Sequence, residues 1–501
     1  MYDSLLFLLS TVFLGIASLF VYRLLLHPLC KIPGPWGAAL TDYYAGYYDV
    51  VKCGGLLKRI EELHVQYGPV IRIGPNTLHF AEPQAYTDIY VRGTSFTKSS
   101  QLYHCFFYSA ESSVAFLSPQ ESRLRRSLLN PLFSRRAILK LKGVIQDKID
   151  KFISRIETYP DGGPVNLTFG FRSLTMEIIT SYCFATGYKT LEHPTFHHPL
   201  LVMFDEMSDF FWLSKYFTSV MRLTMAAPLW VTKLLNPSFL EFFHIKHDLE
   251  DRIERYLEDE SCLQQVEHET IFHHLIMPET KDGIDRSLRP SKKSLLHEAF
   301  TLLGAGSDTV ANACCLGTFY ALDNPTIGER LKKELHQAWP DEDSVVDLTV
   351  LEQLPYLTAF IKESLRFSHG VVTPLMRTVG PSDAKICGVH VPAGTNVEMS
   401  TVFLHKNPTI FEDPETFSPD RWMNPGSKEL ENYLVPFSRG PRMCLGINLA
   451  WCELYLILGT IFRKLDLSLY DTTVDDFKDF KEVFVPFWKG KDLRVTVQQK
   501  S

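Results

Sequence analysis

Ten consecutive residues, Phe437-Ser438-Arg439-Gly440-Pro441-Arg442-Met443-Cys444-Leu445-Gly446, set one cysteine between two glycines. An arginine stands two positions before it, and a largely apolar run, Ile447 to Leu458, follows. A sulfur that must reach a metal needs backbone room, which glycine provides. A helix beginning just past the cysteine would aim N–H groups and the positive end of its dipole at the sulfur, favouring thiolate over thiol. Arg442 adds a cation that can stabilise that thiolate or pair with an anionic group of a cofactor. Most lone cysteines are small buried apolar residues. This one, with glycine and arginine at fixed offsets, reads as a metal ligand.

A second group lies in the longest helical periodicity of the chain, Ser291 to Leu322, at Ala305-Gly306-Ser307-Asp308-Thr309. Glycine inside a helix costs about 1 kcal/mol relative to alanine, so its presence asks for a packing or functional reason. Small residues followed by an acid and an alcohol could open the helix beside a ligand and place a hydroxyl there. A helix-packing glycine with a solvated aspartate is the plainer alternative. A third group is Glu363-Ser364-Leu365-Arg366, whose i,i+3 spacing puts both charges on one helix face, followed by Phe417-Ser418-Pro419-Asp420-Arg421-Trp422.

The elements that must position these groups are mostly helical. Helix patterns run from about 122 to 157 and through 172–186, 200–220 and 238–258, and Pro290 and Asn324-Pro325 bracket the long central one. Val70 to Phe80 alternates around a turn and predicts a β-hairpin, and strand-like runs recur at 385–399 and 483–497. The class is mainly α with a minor β part. No linker or low-complexity tract divides the chain after residue 40, so one large domain is expected.

The amino terminus departs from this globular pattern. Ser4 to Tyr22 carries no charge over nineteen residues, which spans roughly 28 Å as a helix, close to a hydrocarbon core. Arg23, His27 and Lys31 follow it, placing the remainder on the cytosolic side. A cleaved signal peptide would have a shorter apolar run, with its charges in front. Lys31-Ile32-Pro33-Gly34-Pro35 then forms a stiff hinge. We therefore expect an anchor and flank over 1–30 and a catalytic domain over 31–501.

Several patterns are set aside. The net charge of −7 offers no electrostatic footprint for nucleic acid. The ten cysteines show no C-x-x-C pair and read as reduced thiols. His268-Glu269-Thr270-Ile271-Phe272 starts like a zinc-protease motif but has Phe272 where the second histidine is required, and His273-His274 reads as solvated. Asn166-Leu167-Thr168 is a glycosylation sequon that a cytosolic domain never presents to that machinery.

Taken together, F-x-x-G-x-R-x-C-x-G, the acid–alcohol pair, E-x-x-R and F-x-P-x-R-W stand in an order that resembles the cytochromes P450. The hydrophobic anchor and Pro33-Gly34-Pro35-Trp36 resemble the membrane-bound fungal type, particularly the trichodiene-oxygenase-like members. The resemblance implies the cytochrome P450 fold and haem b with Cys444 as axial thiolate, the ligand that favours O–O cleavage. It implies that Phe437 belongs to the haem loop, that Thr309 holds dioxygen and that Asp308 relays protons. Glu363, Arg366 and Arg421 would lock the cysteine loop. Arg126, Arg377 and Arg442 would meet the haem propionates. The family usually has Trp or His four residues before the first of these, and this chain has Ser122.

Cys105, Phe106, Phe107, the stretch Phe204–Phe217, Leu302, Leu303, Val371 to Thr373 and Phe487-Trp488 would face a lipophilic substrate. The implied activity is O2-dependent monooxygenation of a lipophilic secondary metabolite at the endoplasmic reticulum membrane, with electrons from NADPH-cytochrome P450 reductase. A haem-thiolate isomerase or dehydratase and a non-catalytic haem sensor are the alternatives from other classes.

Overall fold

The computed structural model describes residues 2–91, 95–106, 109–159, 163–225 and 239–498. Helix α1 (Tyr2–Val21) continues through a π-helical turn, Tyr22–Leu26. Together they form one helix of mean hydropathy 2.4, none of it buried in the protein, long and apolar enough to cross a membrane. The predicted hairpin forms as β1 (Val70–Gly74) and β2 (Thr77–Phe80), with Val70 opposite Phe80. Strand β3 (Thr97–Lys98) follows.

The helical pattern expected over 122–157 splits into α2 (Pro119–Leu129) and α3 (Arg135–Glu157). Pro131 cannot continue the first, and the Ser134 hydroxyl accepts the Ala137 N–H to start the second. Helix α4 (Leu167–Phe184) begins at Asn166, whose Oδ1 accepts the Phe169 N–H while its Nδ2 donates to Asp492. Both halves of that amide are in use, so the sequon asparagine has a structural role. The run 200–220 becomes three short helices, α5 (Pro199–Asp209), α6 (Phe211–Tyr216) and α7 (Thr218–Met225), before α8 (Phe239–Glu258).

The central helix α9 is continuous over Lys292–Asp323, 32 residues, capped by the Ser291 hydroxyl on the Ser294 N–H. It packs lengthwise on α4 and against α8, α10 (Pro355–Ser368) and α11 (Ile447–Lys464). These helices share the main apolar core. The reason for glycine at 306 is packing: a Cβ there would lie 2.5 Å from Ile179 Cγ1 of α4. Strands β4 (Arg377–Thr378) and β5 (Asn396–Glu398) complete a five-stranded sheet ordered β1-β2-β5-β4-β3. The run 385–399 also holds a separate hairpin, Ala384–Ile386 with Val389–Val391. Near the C-terminus β6 (Phe480–Val483) and β7 (Val485–Trp488) form a tight hairpin, followed by β8 (Arg494–Gln498).

His273 and His274 are half-buried rather than solvated. His273 closes a capping box with Thr270 and bonds the Leu263 carbonyl, and His274 lies 3.3 Å from Glu269. Among the described residues no cluster suited to a metal ion of the His/Cys/Asp/Glu type is present, and no cysteine is in a disulfide.

Candidate active site

Cys444 ends a turn closed by its own N–H on the Phe437 carbonyl (2.8 Å), just before α11. Gly440 holds φ at +73°, and a Cβ there would stand 1.9 Å from the Tyr90 carbonyl oxygen. Only glycine fits that approach. The loop is held from below by Glu363, whose carboxylate accepts from Arg366 (2.7 and 3.0 Å), Arg421 (3.0 Å) and the Trp422 indole (2.8 Å). Arg366 continues to the carbonyls of His405 and Pro414, so one buried ion network ties α10 to the segment leading to the cysteine. The indole donor was not legible in the sequence pattern.

The sulfur of Cys444 is exposed to an internal cavity of about 500 Å3. Enclosure by protein pushes its thiol pKa up, against the Gly446 N–H and Arg126, which pull it down. The backbone N–H past the cysteine acts in the direction expected from the sequence, and burial opposes it.

Cys444, Phe437, Arg126, Arg377, Arg442, Asp308 and Thr309, scattered over more than 300 residues of chain, all line this one cavity. Lys98 joins them, a residue the sequence reading did not select. The four cations face no carboxylate partner among the described residues. Lys98 Nζ donates to the Val114 carbonyl, Arg377 Nη1 to the Tyr103 hydroxyl (3.3 Å), and Arg442 Nη2 to the Leu117 and Ser118 carbonyls (3.2 and 2.8 Å). Arg442 Nη1 is buried with no partner. Burial, then Arg377 and Arg126, push Arg442 down to about 10, and burial with the three arginines holds Lys98 well below its ordinary value.

On α9 the helix stays unbroken at the acid–alcohol pair, where the sequence suggested an opening. Thr309 Oγ1 donates to the Ala305 carbonyl (3.1 Å), and Thr175 Oγ1 of α4 donates to the Ser307 carbonyl (2.5 Å). Asp308 is not solvated. Its Oδ1 accepts from Arg172 Nε (2.6 Å), and the same guanidinium grips Asp205 of α5 through Nη1 and Nη2 (2.9 and 2.5 Å). Burial opposes the charge on Arg172, but Asp308 and Asp205 outweigh it and hold the guanidinium protonated.

Residues 47–489 match the family model for cytochrome P450. The chain is a cytochrome P450. It is 34% identical to the tryptophan 6-hydroxylase fscE of Fusarium equiseti over 96% of this chain and 95% of that enzyme. It is 33% identical to the N-acetyltryptophan 6-hydroxylase ivoC of Emericella nidulans, over 95% of this chain and 94% of that enzyme. The cytochrome P450 monooxygenase TRI4 of Fusarium sporotrichioides is 31% identical over 93% of this chain and 89% of its own length.

A cytochrome P450 carries haem with an axial thiolate, and the residues present fit that group. One sulfur faces the cavity, and a cluster of buried, mutually repelling cations with an orphaned guanidinium nitrogen suits two propionates. The rest of this P450's cavity mixes apolar side chains with several hydroxyls and the buried Glu453. Cys105, Phe106, Phe204, Phe211, Leu302, Val371 and Phe487 line it as expected.

Other expected pocket residues fall elsewhere. Leu303 and Val372 are packed in core clusters, Phe217 is exposed on the surface, and Trp488 bonds Asn312 of α9. Thr373 is buried outside the cavity, and Phe107 lies outside the described residues. Phe484 was missed. It forms the one-residue tip between β6 and β7 at φ +66°, and its ring meets Phe106 and Phe211 at centroid distances of 5.4 and 6.0 Å. A positive φ at a bulky residue has no sequence signature, so only the hairpin register reveals it.

Proposed function

We propose that this cytochrome P450 monooxygenase inserts one oxygen atom from O2 into a neutral, lipophilic secondary metabolite of terpenoid or polyketide type. The observation that carries this reading is the single cavity in which Cys444, the cation cluster and the Asp308–Thr309 pair meet under an aromatic roof. When bound to Cys444, haem supplies O2 activation driven by two electrons and two protons, giving a hydroxylated product and water.

The protein's part is fourfold. Cys444 ligates, and Gly440 together with the Glu363 network sets the loop. Arg126, Arg377 and Arg442 hold the propionates. The Thr309 hydroxyl and the Asp308 carboxylate manage protons, with Arg172 fixing where that carboxylate points. Phe106, Phe211 and Phe484 exclude water and leave the substrate contacts apolar. Among the described residues the cations lining the cavity are Lys98, Arg126, Arg377 and Arg442, the cluster that suits the propionates.

The reading further places residues 1–30 as a single-pass anchor in the endoplasmic reticulum membrane. Residues 31–501 form one catalytic domain on the cytosolic side, served by NADPH-cytochrome P450 reductase. The apolar helix Tyr2–Leu26, followed by Lys31, supports this.

Two experiments test it. Comparing metabolites of a deletion strain with its parent identifies the accumulating substrate, and turnover of that compound with NADPH, reductase and 18O2 should place one labelled atom in product. Product formed without label would overturn the monooxygenase reading in favour of an isomerase or dehydratase. Cys444→Ala should abolish the red-shifted ferrous–CO band that requires sulfur opposite CO, and an unchanged band would remove Cys444 as the ligand.

A further inference from the structure

Resting on the reading that this cavity takes haem, we propose that Lys215 is a positioning residue that pins helix α6 over the cavity and so limits the size of molecule that reaches the iron. Helix α6 is six residues long and supplies Phe211 and Ser214 to the cavity wall. A helix that short does not hold itself in water, so its place is set by its attachments. Three of its side chains reach one buried cluster. Trp212 Nε1 donates to the Glu482 carbonyl (2.6 Å), Lys215 Nζ to Asp49 Oδ2 (3.2 Å), and the Tyr216 hydroxyl to that same Asp49 oxygen (2.6 Å).

Asp49 belongs to the π-helical turn Tyr47–Val51, and Glu398 of β5 and Glu482 of β6 lie within electrostatic reach of the pair. The three carboxyls are buried, at 1%, 4% and 1% exposure. Burial pushes Glu398 up to about 8, against Lys215, and burial and then Asp49 push Glu482 well above its ordinary value. Both acids keep their protons at pH 7, which leaves Asp49 as the anion for one ammonium. Burial opposes the charge on Lys215, but Tyr216, Asp49 and Glu398 outweigh it. The ammonium also lies 4.7 Å from the Trp212 ring centroid and 4.9 Å from that of Tyr216.

The facing side of the roof is fixed differently. Glu482 donates its N–H to the Gly54 carbonyl (3.1 Å) and accepts the Leu57 N–H at Oε2 (3.1 Å). Two residues on, the Phe484 carbonyl accepts the Val372 N–H (3.0 Å), which sets the ring that meets Phe211. Backbone bonds thus hold Phe484, whereas the charged tie of α6 runs through Lys215. A molecule too wide to pass between Phe211 and Phe484 must displace α6, and that separates Lys215 from a carboxylate that stays buried.

The rival account is that the Lys215–Asp49 pair only stabilises the fold. The test uses ferric full-length enzyme in detergent and two nitrogen ligands of the iron, imidazole and the bulkier 4-phenylimidazole, with association followed by the Soret shift in stopped flow. Association of 4-phenylimidazole should be roughly tenfold faster in Lys215→Met, as expected when opening no longer breaks a hydrogen bond to a charged group. Imidazole, small enough to enter without moving α6, should keep its wild-type rate. In Lys215→Arg both ligands should stay within about twofold of wild type, because the charge is kept.

Unchanged 4-phenylimidazole association in Lys215→Met would overturn the proposal. Equal acceleration of both ligands would overturn it too, since general loosening rather than a size limit would explain it. So would a Lys215→Arg variant as fast as Lys215→Met. Should Lys215→Met not accumulate as folded protein, Lys215→Met combined with Asp49→Asn, which leaves no unpaired charge, takes its place under the same criteria, and Lys215→Arg must still bind both ligands at wild-type rates or the proposal fails. A wild-type protein without a haem Soret band would instead sink the haem reading itself.

Discussion

At the scale of single residues, proton supply has two components that can be separated. Thr309 donates to its own helix carbonyl, so removing the hydroxyl leaves packing almost intact. Thr309→Ala should keep haem and the apolar cavity while product per NADPH falls and peroxide or water rises. A positioned proton-transfer group is worth roughly 10²–10⁴-fold where that step limits the rate, and a neighbouring water would lower the effect. Measuring product, NADPH and peroxide together checks this, and unchanged coupling would make Thr309 a packing residue. Asp308 differs because Arg172 holds it in an ion pair shared with Asp205. Arg172→Gln leaves two carboxylates facing each other without their cation, a loss of about 3 kcal/mol after allowing for their partial exposure. Adding Asp205→Asn should restore part of it. Denaturation free energies of four proteins decide, wild type, Arg172→Gln, Asp205→Asn and the double variant, and simple additivity would mean these groups are not one network.

At the scale of elements, the segment leading to the cysteine loop depends on a neutral imidazole. His405 Nε2 accepts the Val435 N–H (2.9 Å), and His405 Nδ1 lies 3.4 Å from His369 Nδ1. Burial, then Arg366, push His405 down to about 3, and burial with His405 holds His369 well below its ordinary value. An imidazole near 6.5 when unfolded and far lower when folded takes up its proton on unfolding. Stability is therefore full above about pH 6.5 and is lost as pH falls toward 3, by about 1.4 kcal/mol per pH unit per such group. His405→Asn, which can still accept the Val435 N–H, should flatten the slope of denaturation free energy between pH 6.5 and 5 by about one imidazole's worth. An unchanged slope would mean His405 is already protonated or reaches solvent. The same elements show why boundaries were only partly legible. Ser134 and Pro131 carry a readable break between α2 and α3, yet the interruptions at Phe210 and Phe217 involve no Gly or Pro.

At the scale of the whole molecule, the proposed anchor and the catalytic part should be separable. The apolar helix Tyr2–Leu26 buries none of its span against the protein, although Arg23 donates to the Leu40 carbonyl and Arg72 to the Arg23 carbonyl. Deleting residues 1–30 should release the protein partly or wholly from membranes and leave the haem spectrum intact, with a small stability loss from the missing Arg23 contacts. Sedimentation of membranes and the ferrous–CO spectrum check both parts. Soluble, folded truncated protein without haem would show that the anchor supports the catalytic domain.

The sequence alone determined what depends on local chemistry. Gly440, Arg442, Cys444 and Gly446 at fixed offsets, Asp308 beside Thr309, and an uncharged stretch ahead of a proline hinge each carry their meaning within a few residues. So do the long central helix and the β1–β2 hairpin, whose periodicities repeat along the chain. Tertiary structure decided what depends on distant partners. Which guanidinium holds Asp308, which carbonyl Gly440 must clear and which cation faces Arg377 are set by packing of α4, α5 and β3, separated from those residues by long stretches of chain. Arg172 and Lys98 carry no local signal in the sequence, because charge gains specific meaning only once water is removed and its neighbours are fixed.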